Sequence, residues 1–497
     1  MAKKVFIIGA GTAGLASAIR LQAKGFEVEV FEKNPLVGGR MYQLEDSGFK
    51  FDVGPTIVMM PEIYRDVFKV AGKDPDDYIP MQLLDPMYSI HFPDKTQLTI
   101  SNDLTKLVKS LEDWSEEDTQ GYLAYLADVY QRYLVAKNDF IQKSFRKPSD
   151  FYNFKSLHAA LKLRTLNSAY SSISKFVKNE KLRRALSFQT LYIGISPFVG
   201  PSIYTIIPMI ELLYGVWYIK GGMFSMTQGM EKLFTEMGGK IHLSTNVDEI
   251  VIEDKKAVGI KVGEKVFNAD VVLCNADFPW AMKNLIKKPK NRGKYSPRKI
   301  NKMEYSASSF VLYLGLKKKY KTNVHAIRFA QDFNKNIDDL FNYVVPEDPS
   351  FYMYSPSQID ESVAPDGKEV LYVLVPVPSN HKGNLKWGKK ETKAYQDQII
   401  ELISKVEGFE DIKENIEVMK VINPDDFARL FNLENGATFG LRPTLLQSNY
   451  FRPQNKFKYV ENLYFAGSSN HPGAGVPIVL TSAKLAVDEI LKDVNPQ

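Results

Sequence analysis

The sequence predicts an α/β protein in which a parallel-stranded nucleotide-binding domain is interrupted by a mixed α+β domain. Three observations lead to this prediction. An apolar strand, a glycine turn and a helix open the chain (VFIIGAGTAGLASAI, 5–19), and a second strand follows at 27–31. A strand, glycine turn and helix of similar shape return at 462–492. Between these ends, segments with alternating and with helical periodicity do not follow the regular strand–helix–strand order of a nucleotide-binding domain.

The elements between the two ends are predicted in turn from their hydrophobic periodicity. Residues 87–100 alternate around a polar turn, as in a β-hairpin. From Leu104 to about Tyr214 the pattern is helical. The remaining predicted elements are a helix after Gly221, strands within 240–276, strands at 308–316 and 369–377, a helix at 391–405, a strand at 462–467 and a helix at 478–492.

The nucleotide-binding elements therefore come in three pieces separated by two insertions. We expect residues 1–85, 220–300 and 425–497 to form a discontinuous Rossmann-like domain. Residues 86–219 and 301–424 are expected to form a substrate-binding domain with a helical, membrane-facing region. Its longest apolar run, 202–219, contains proline, glutamate and glycine. These residues disfavour a membrane-spanning helix and favour a buried helix or a surface that dips into lipid.

Composition narrows the classes of protein. The single cysteine, Cys274, excludes an internal disulfide and a multi-cysteine metal site, and the six histidines are scattered, so no metal is predicted. Residues 281–302 carry nine lysines and arginines and no acid. This segment is either a solvated loop or a surface attracted to an anionic membrane. Nucleic acid is not an expected partner, because no reading module accompanies the charge.

The opening glycine turn carries the strongest chemical signal. Gly9, Gly11 and Gly14 form G-x-G-x-x-G between a strand and a helix, which allows a tight turn, close approach of a pyrophosphate and close helix packing. Glu32 ends the next strand, where a carboxylate accepts hydrogen bonds from ribose hydroxyls. The basic residues before this turn imitate a signal peptide, but the nucleotide motif explains more of the segment.

The residues after Glu32 distinguish FAD from NAD. Gly39 and Arg40 follow in KNPLVGGR, and a second turn with Gly54 and Pro55 is placed to face a flavin. This pattern resembles the glutathione-reductase-type FAD superfamily, in its amine oxidase and phytoene desaturase branch. The resemblance implies that Val247 binds adenine through its backbone. It also places Ser468 where many members have an aspartate that holds the ribityl chain, a departure that desaturases share.

Four longer stretches narrow the resemblance to bacterial carotenoid desaturases, and within them to the dehydrosqualene-desaturating group. These stretches are 54–68, 146–153, 188–211 and 463–484. The resemblance implies FAD-dependent removal of hydrogens from a long apolar isoprenoid, which converts dehydrosqualene (4,4'-diapophytoene) towards diaponeurosporene. Such enzymes are thought to need no strong protein base, since the allylic cation that follows hydride loss is itself acidic.

The last glycine turn is predicted to hold the reacting end of the flavin. Gly467, Gly475 and Val476 would place a helix amino terminus against the negative charge of the reduced ring. Beside this turn, His471 is either an acid–base residue or a structural hydrogen-bonding group. Asp150 with Arg146 is a second acid–base candidate, although the charge pair could instead cap a helix.

The substrate class also predicts a location. A thirty-carbon hydrocarbon is confined to the bilayer, so we expect a peripheral protein on the cytoplasmic face of the cell membrane. Three alternatives remain open: a carotenoid oxygenase or isomerase, an amine oxidase, and a flavin-free lipid escort of the same architecture. The sequence leaves the oligomeric state undetermined.

Overall fold

A computed structural model describes residues 2–163, 167–381 and 385–495. In chain order the strands are β1 (Lys4–Ile8), β2 (Glu27–Phe31), β3 (Gln43–Asp46), β4 (Phe49–Asp52), β5 (Met81–Leu83), β6 (Tyr88–His91), β7 (Gln97–Ile100), β8 (Trp217–Ile219), β9 (Lys240–His242), β10 (Glu249–Glu253), β11 (Lys256–Val262), β12 (Lys265–Asn268), β13 (Val271–Cys274), β14 (Ser308–Leu316), β15 (His325–Arg328), β16 (Phe351–Tyr354), β17 (Glu369–Val377), β18 (Ile416–Ile422) and β19 (Leu463–Phe465).

The α-helices are α1 (Thr12–Gln22), α2 (Pro61–Lys69), α3 (Leu104–Glu112), α4 (Glu116–Ala136), α5 (Pro148–Phe151), α6 (Phe154–Leu163), α7 (Ala169–Ile173), α8 (Glu180–Ala185), α9 (Ile206–Tyr214), α10 (Phe224–Glu236), α11 (Phe278–Asn284), α12 (Pro297–Asn301), α13 (Phe333–Phe341), α14 (Lys389–Ile403), α15 (Ile412–Asn415), α16 (Pro424–Phe431) and α17 (Val476–Asp493).

A five-stranded parallel sheet joins the two ends of the chain. Its order is β19-β13-β1-β2-β9, and every neighbouring pair is parallel. Alternate residues of β1 point to opposite faces, as the strand period requires. Val5 and Ile7 pack in the core that includes α1, α10 and α17, whereas Phe6 and Ile8 pack in a second core that includes β10, β11 and α11. Burial on both faces explains why residues 5–8 of β1 are continuously apolar.

A seven-stranded sheet forms the centre of the second part of the fold. Its order is β18-β14-β17-β16-β15-β6-β7, and its pairs are antiparallel except for the parallel pair of β6 and β15. Phe310 and Leu312 of β14 pack with α14. Val311 and Tyr313, on the other face, belong to the core that contains α4 and α9. Helices therefore cover both faces of this sheet.

The strands of each sheet fall within the residue ranges predicted for one domain. All strands of the parallel sheet come from 1–85, 220–300 and 425–497, and all strands of the seven-stranded sheet come from 86–219 and 301–424. The domain boundaries remain a prediction. Their ranges include Met1 and residues 164–166, 382–384 and 496–497, which lie outside the described part of the chain.

The apolar run 202–219 is a short buried helix followed by a strand. A 3-10 turn at Ser202–Thr205 leads into α9, and Gly215, with φ +73°, ends that helix before β8. Glycine adopts a positive φ without the strain that a side chain would cause, so Gly215 can end the helix here. Within the ranges that the structure describes, no helix is both long enough and apolar enough to cross a membrane.

Candidate active site

One cavity of about 680 Å³ connects the parallel sheet to the seven-stranded sheet and the helical region. At one end it is lined by residues of the turns that follow β1, β2 and β19. At the other end it is lined by apolar residues of α9 and of the seven-stranded sheet. Eleven of the predicted cofactor residues line it: Gly9, Gly11, Glu32, Gly39, Arg40, Gly54, Pro55, Val247, Gly467, Gly475 and Val476. The sequence-predicted residues are therefore brought together around one space.

The turn between β1 and α1 has room for a ligand and little for side chains. Gly9 has φ +97°, and its amide donates to the carbonyl of Phe31 at 2.8 Å. A Cβ on Gly11 would lie 2.7 Å from Oδ1 of Asn275. A Cβ on Gly14 would lie 2.0 Å from the carbonyl of Gly9, so Gly14 serves helix packing behind the cavity. This is the cradle that a pyrophosphate requires.

Glu32 lies at the end of β2 with its carboxylate held by backbone amides. Oε2 accepts from the amide of Ala10 at 2.8 Å, and Oε1 accepts from the amide of Asn34 at 2.9 Å. The side chain is buried against the protein but lines the cavity. An ionised carboxylate has about four lone-pair sites, so two remain for hydroxyl donors. The position suits a ribose.

Arg40 joins two distant turns at the middle of the cavity. Its guanidinium donates to the carbonyl of Thr438 at 2.6 Å and to Oγ of Ser468 at 2.9 Å. Nearby, Asp277 accepts from Oγ of Ser469 at 2.5 Å. Burial raises the pKa of Asp277, while the hydrogen bond from Ser469 and the charge of Arg40 oppose that rise. This polar group was missed by sequence reasoning.

A signal for Asp277 was nevertheless present in the sequence. It follows the apolar run VVLC of β13, so it lies at the carboxyl end of a parallel strand. Ligand sites of open α/β sheets are built at that edge. Thr438 has no comparable signal, because the fold alone brings its carbonyl to Arg40.

The turn at Gly54 and Pro55 is held by tyrosine hydroxyls of the seven-stranded sheet. Tyr313 donates to the carbonyl of Val53 at 2.7 Å, and Tyr372 donates to the carbonyl of Gly54 at 3.2 Å. Two rigid strands thus fix the position of a loop that lines the cavity. A loop fixed by a sheet is a better platform for a ring system than a free loop.

The last glycine turn presents the amino end of α17 to the cavity. Gly475, with φ +98°, is the N-cap, and the space where its Cβ would stand is open. Pro477 occupies the first turn of the helix, where its missing amide costs nothing. The amides of the first turn have no intrahelical acceptor and carry the positive end of the helix dipole. Negative charge is favoured at this point.

His471 is placed behind the cavity wall. Its side chain is fully buried and Nε2 donates to the carbonyl of Lys143 at 2.9 Å. Burial lowers the pKa of His471 to about 4, so the ring is neutral. The neighbouring Pro472 and Gly473 line the cavity, but His471 does not. The geometry agrees with the structural alternative, and an acid–base role stays an untested prediction.

Asp150 and Arg146 lie away from the cavity and do not pair with each other through their side chains. Asp150 accepts from the amides of Arg146 and Lys147 at 2.8 and 2.9 Å and caps α5. These bonds lower the pKa of Asp150. The guanidinium of Arg146 instead pairs with Glu489 and Asp493 of α17. Helix capping by the charge pair was the expected alternative to acid–base chemistry. In the structure only the Asp150 carboxylate takes part in the cap.

The far end of the cavity is apolar. Two segments rich in aromatic and aliphatic residues, within 188–211 and 202–219, supply much of this lining. The lining residues from them are Leu191, Tyr192, Ile193, Ile203, Tyr204, Ile206, Ile207, Ile210 and Tyr214. Directly behind it, Glu211 of α9 is buried and accepts from the hydroxyl of Tyr88 at 2.8 Å. Burial raises the pKa of Glu211 to about 7. The residues named for this wall carry no formal charge, while the cavity lining as a whole also includes Lys137 and Arg452.

Comparison with known proteins assigns the family. The sequence profile of one protein family, the flavin-containing amine oxidoreductases, matches residues 12–491. The chain belongs to this family. It is 46% identical to the 4,4'-diapophytoene desaturase (4,4'-diaponeurosporene-forming) of Staphylococcus haemolyticus, with 99% of both chains covered. It is 45% identical to the enzyme of the same name from Staphylococcus aureus, again with 99% of both chains covered.

Solved structures agree on the fold of this flavin oxidoreductase. An oxidoreductase from Methanosarcina mazei superposes with a TM-score of 0.64 at 19% identity, covering 99% of this chain and all of the other. The predicted fold class, flavin cofactor and oxidoreductase class are thereby confirmed at the level of the family. The predicted membrane-facing character of the helical region remains a prediction.

Proposed function

We propose that the protein is an FAD-dependent desaturase that introduces conjugated double bonds into dehydrosqualene (4,4'-diapophytoene) and forms diaponeurosporene. The observation that carries this proposal is the continuity of the cavity: a nucleotide cradle at one end opens into an apolar compartment at the other. The relative that is 46% identical across the full chain bears the name of this activity. Identity at this level along the full chain supports assigning the reaction and the substrate class named for that relative to this protein as well.

The FAD would be held along the line of glycine turns. Gly11 and the first turn of α1 would bind the diphosphate, Glu32 the adenosine ribose, and the backbone at Val247 the adenine. The turns at Gly54 and Gly475 would border the ring. When bound, the flavin supplies the oxidising power by accepting a hydride. The chain's own task is to position the substrate and to exclude water.

The apolar compartment would select the substrate by shape and hydrophobicity. A hydrocarbon has no polar handle, so its binding rests on the removal of apolar surface from water, worth about 25 cal/mol per Å². Glu211 does not line the cavity, and burial raises its pKa to about 7. The aliphatic and aromatic residues that line this end carry no charge. A wall of this kind accepts a long polyene and rejects charged amines, which disfavours the amine oxidase alternative.

The substrate would enter from an anionic membrane surface at the cytoplasmic face. Exposed apolar side chains stand where α6 begins and in the loop before β19: Tyr152, Phe154, Leu157, Leu445 and Leu446. We call this set the apolar patch. Phe154 is 93% exposed and Leu446 is 78% exposed, values unusual for such residues in water.

Two features connect the apolar patch to the cavity and to charge. Leu445 and Leu163, the last residue of α6, both line the cavity. The ring of Tyr450 stacks on Phe151 and contacts Tyr152, which ties the two parts of the patch together. Exposed lysines at 147 and 162 flank it. An apolar surface with basic neighbours favours a bilayer that contains anionic lipids.

The function is tested by expression together with a dehydrosqualene synthase in a carotenoid-free host. Pigment with the spectrum of a conjugated polyene is the expected result, and extracted protein should carry FAD. Colourless cells that contain soluble, flavin-loaded protein would rule out this substrate. Protein that cannot be loaded with FAD would favour the lipid-escort alternative.

A further inference from the structure

Three polar side chains form a hydrogen-bonded chain from the cavity wall into the seven-stranded sheet. Oγ1 of Thr56 lies 2.6 Å from the hydroxyl of Tyr352, which lies 2.6 Å from Nδ1 of His325. Thr56 and Tyr352 line the cavity. His325 lies behind them and is 1% exposed. A buried imidazole is thus connected to the cavity through two hydroxyl groups.

The strand register fixes the ring of His325. In the antiparallel pair of β15 and β16, His325 stands opposite Tyr354, and Tyr352 follows two residues along on the same face. The imidazole stacks on both rings, at 5.1 Å from Tyr354 and 5.8 Å from Tyr352. This packing holds Nδ1 in line with the Tyr352 hydroxyl, so the chain of hydrogen bonds is preorganised.

The open end of the chain lies beside the proposed flavin-facing turn. Thr56 follows Gly54 and Pro55 directly, and the hydroxyl of Tyr372 holds that turn through the carbonyl of Gly54. The inference made from this placement rests on the proposed function, because it concerns the hydrogens removed there. Burial lowers the pKa of His325 to about 3, so the resting ring is neutral. The proposal uses the Nε2–H tautomer, in which Nδ1 accepts from the Tyr352 hydroxyl. Nε2 itself is buried without a hydrogen-bond partner in the described part of the chain.

We propose that Thr56, Tyr352 and His325 form the route by which the proton released in each desaturation leaves the apolar cavity. Each new double bond requires two C–H bonds to break. One hydrogen leaves with both electrons to the flavin, which is the oxidant. The other leaves the neighbouring carbon as a proton and binds Oγ1 of Thr56.

The proton is then handed along the chain. The hydroxyl proton of Thr56 passes to the oxygen of Tyr352, and the hydroxyl proton of Tyr352 passes to Nδ1 of His325. A weakly basic imidazole is sufficient, because the proton next to an allylic cation is strongly acidic. After both transfers the substrate is neutral and has lost two electrons. The positive charge left by hydride loss now lies on the imidazolium of His325.

The route also returns the proton. A two-electron, two-proton acceptor such as a quinone would take both electrons with the hydrogen held by the reduced cofactor, and would need one further proton. His325 supplies it by the reverse transfers, which restores the neutral ring. The histidine therefore stores one proton between the two half-reactions.

Conservative variants test this route. Tyr352→Phe removes the central hydroxyl, and Thr56→Val removes the first while keeping the side-chain shape. Each should lower kcat by roughly 100-fold, the scale of a lost acid–base group, with KM and flavin content unchanged. Tyr354→Phe is the matched control, because its hydroxyl lies outside the chain of hydrogen bonds, and it should retain the wild-type kcat.

A second measurement does not depend on turnover. In protein labelled with ¹⁵N-histidine, the Nδ1 resonance of His325 should report a strong hydrogen bond that Tyr352→Phe abolishes and Tyr354→Phe preserves. Normal kcat in Tyr352→Phe would overturn the proposal, as would loss of flavin from that variant, which would make the hydroxyls cofactor ligands. A wild-type enzyme without product would instead refute the proposed function and leave the ¹⁵N result standing.

Discussion

Arg40 and Ser468 are separated by 428 residues in the chain, and their side chains form a hydrogen bond of 2.9 Å. The bond connects the turn after β2 to the turn after β19, on either side of the cavity. Arg40 is occupied by this contact and by the carbonyl of Thr438, so its side chain braces the protein itself. The turn that carries Gly39 and Arg40 is thus tied to the last glycine turn, and both line the same cavity as the opening glycine turn.

The glycine turn can be tested by adding a side chain. In Gly11→Val the Cβ would lie 2.7 Å from Oδ1 of Asn275, and the branched methyl groups would enter the space proposed for the diphosphate. We expect purified protein with little or no FAD absorbance and an unchanged circular dichroism spectrum. Ala23→Val, at the exposed end of α1, is the matched enlargement and should retain the flavin. Full flavin content in Gly11→Val would refute this placement of the diphosphate.

Glu211 predicts a pH-dependent stability. Its pKa is raised from 4.5 to about 7 by burial, so the folded state holds a proton that the unfolded state releases. The stabilisation is fully present below pH 4.5 and is lost as pH rises through about 7. By linkage it amounts to about 3 kcal/mol.

The measurement is the midpoint of urea unfolding between pH 5 and pH 8. Glu211→Gln keeps the hydrogen-bonding shape and should flatten the decline seen in the wild type. Glu117→Gln, at an exposed position, should follow the wild-type curve. Parallel curves for Glu211→Gln and the wild type would show that this carboxyl group is ionised in the fold.

The apolar patch predicts binding to vesicles. Phe154→Asp with Leu446→Asp places charge on its two most exposed positions and should abolish flotation with vesicles that contain anionic lipid. Kcat on detergent-dispersed substrate should remain close to that of the wild type. Val266→Asp, an exposed apolar position on β12, is the control and should float normally. Flotation of the double variant at low salt would place the membrane contact elsewhere.

Arg146 predicts a loss of stability without a loss of chemistry. Its guanidinium pairs with Glu489, which is 1% exposed, and with Asp493. Arg146→Met leaves a buried carboxylate without its main cation and should lower the free energy of unfolding by about 2 kcal/mol. This is less than the roughly 3–5 kcal/mol lost when a fully buried ion pair is broken, because the arginine is partly exposed. Kcat per bound flavin should not change. Lys147→Met is the neighbouring control, and a large fall in kcat in Arg146→Met would restore the catalytic alternative.

The cofactor end of the site was predictable from local sequence. Glycine spacing and a carboxylate at a strand end are short-range signals, and Gly9, Gly11 and Glu32 stand where those signals placed them. Residues 5–8 of β1 and the strands β13 and β19 were predictable for a similar reason, since they are continuous apolar runs. The end of the 202–219 run at Gly215 follows from a glycine visible in the sequence.

The hydrogen-bonded chain behind the cavity was not predictable. Thr56, His325 and Tyr352 come from two distant segments, and only the pairing of β15 with β16 and the docking of the turn at Gly54 bring them together. No spacing rule relates a threonine in a turn to a tyrosine about 300 residues later. Similarly, Arg146 and Asp150 are close in sequence and attract attention as a pair, while their partners are set by the position of α17 and by backbone amides.

The bond between Arg40 and Ser468 also bears on biosynthesis. The turn that opens the cradle leaves the ribosome early, whereas the helix amino terminus that closes it exists only after the chain has been made beyond Val476. Between these events the growing polypeptide displays half of a dinucleotide site and an unpaired edge of β13. We therefore expect flavin capture to be a late step in the maturation of this chain.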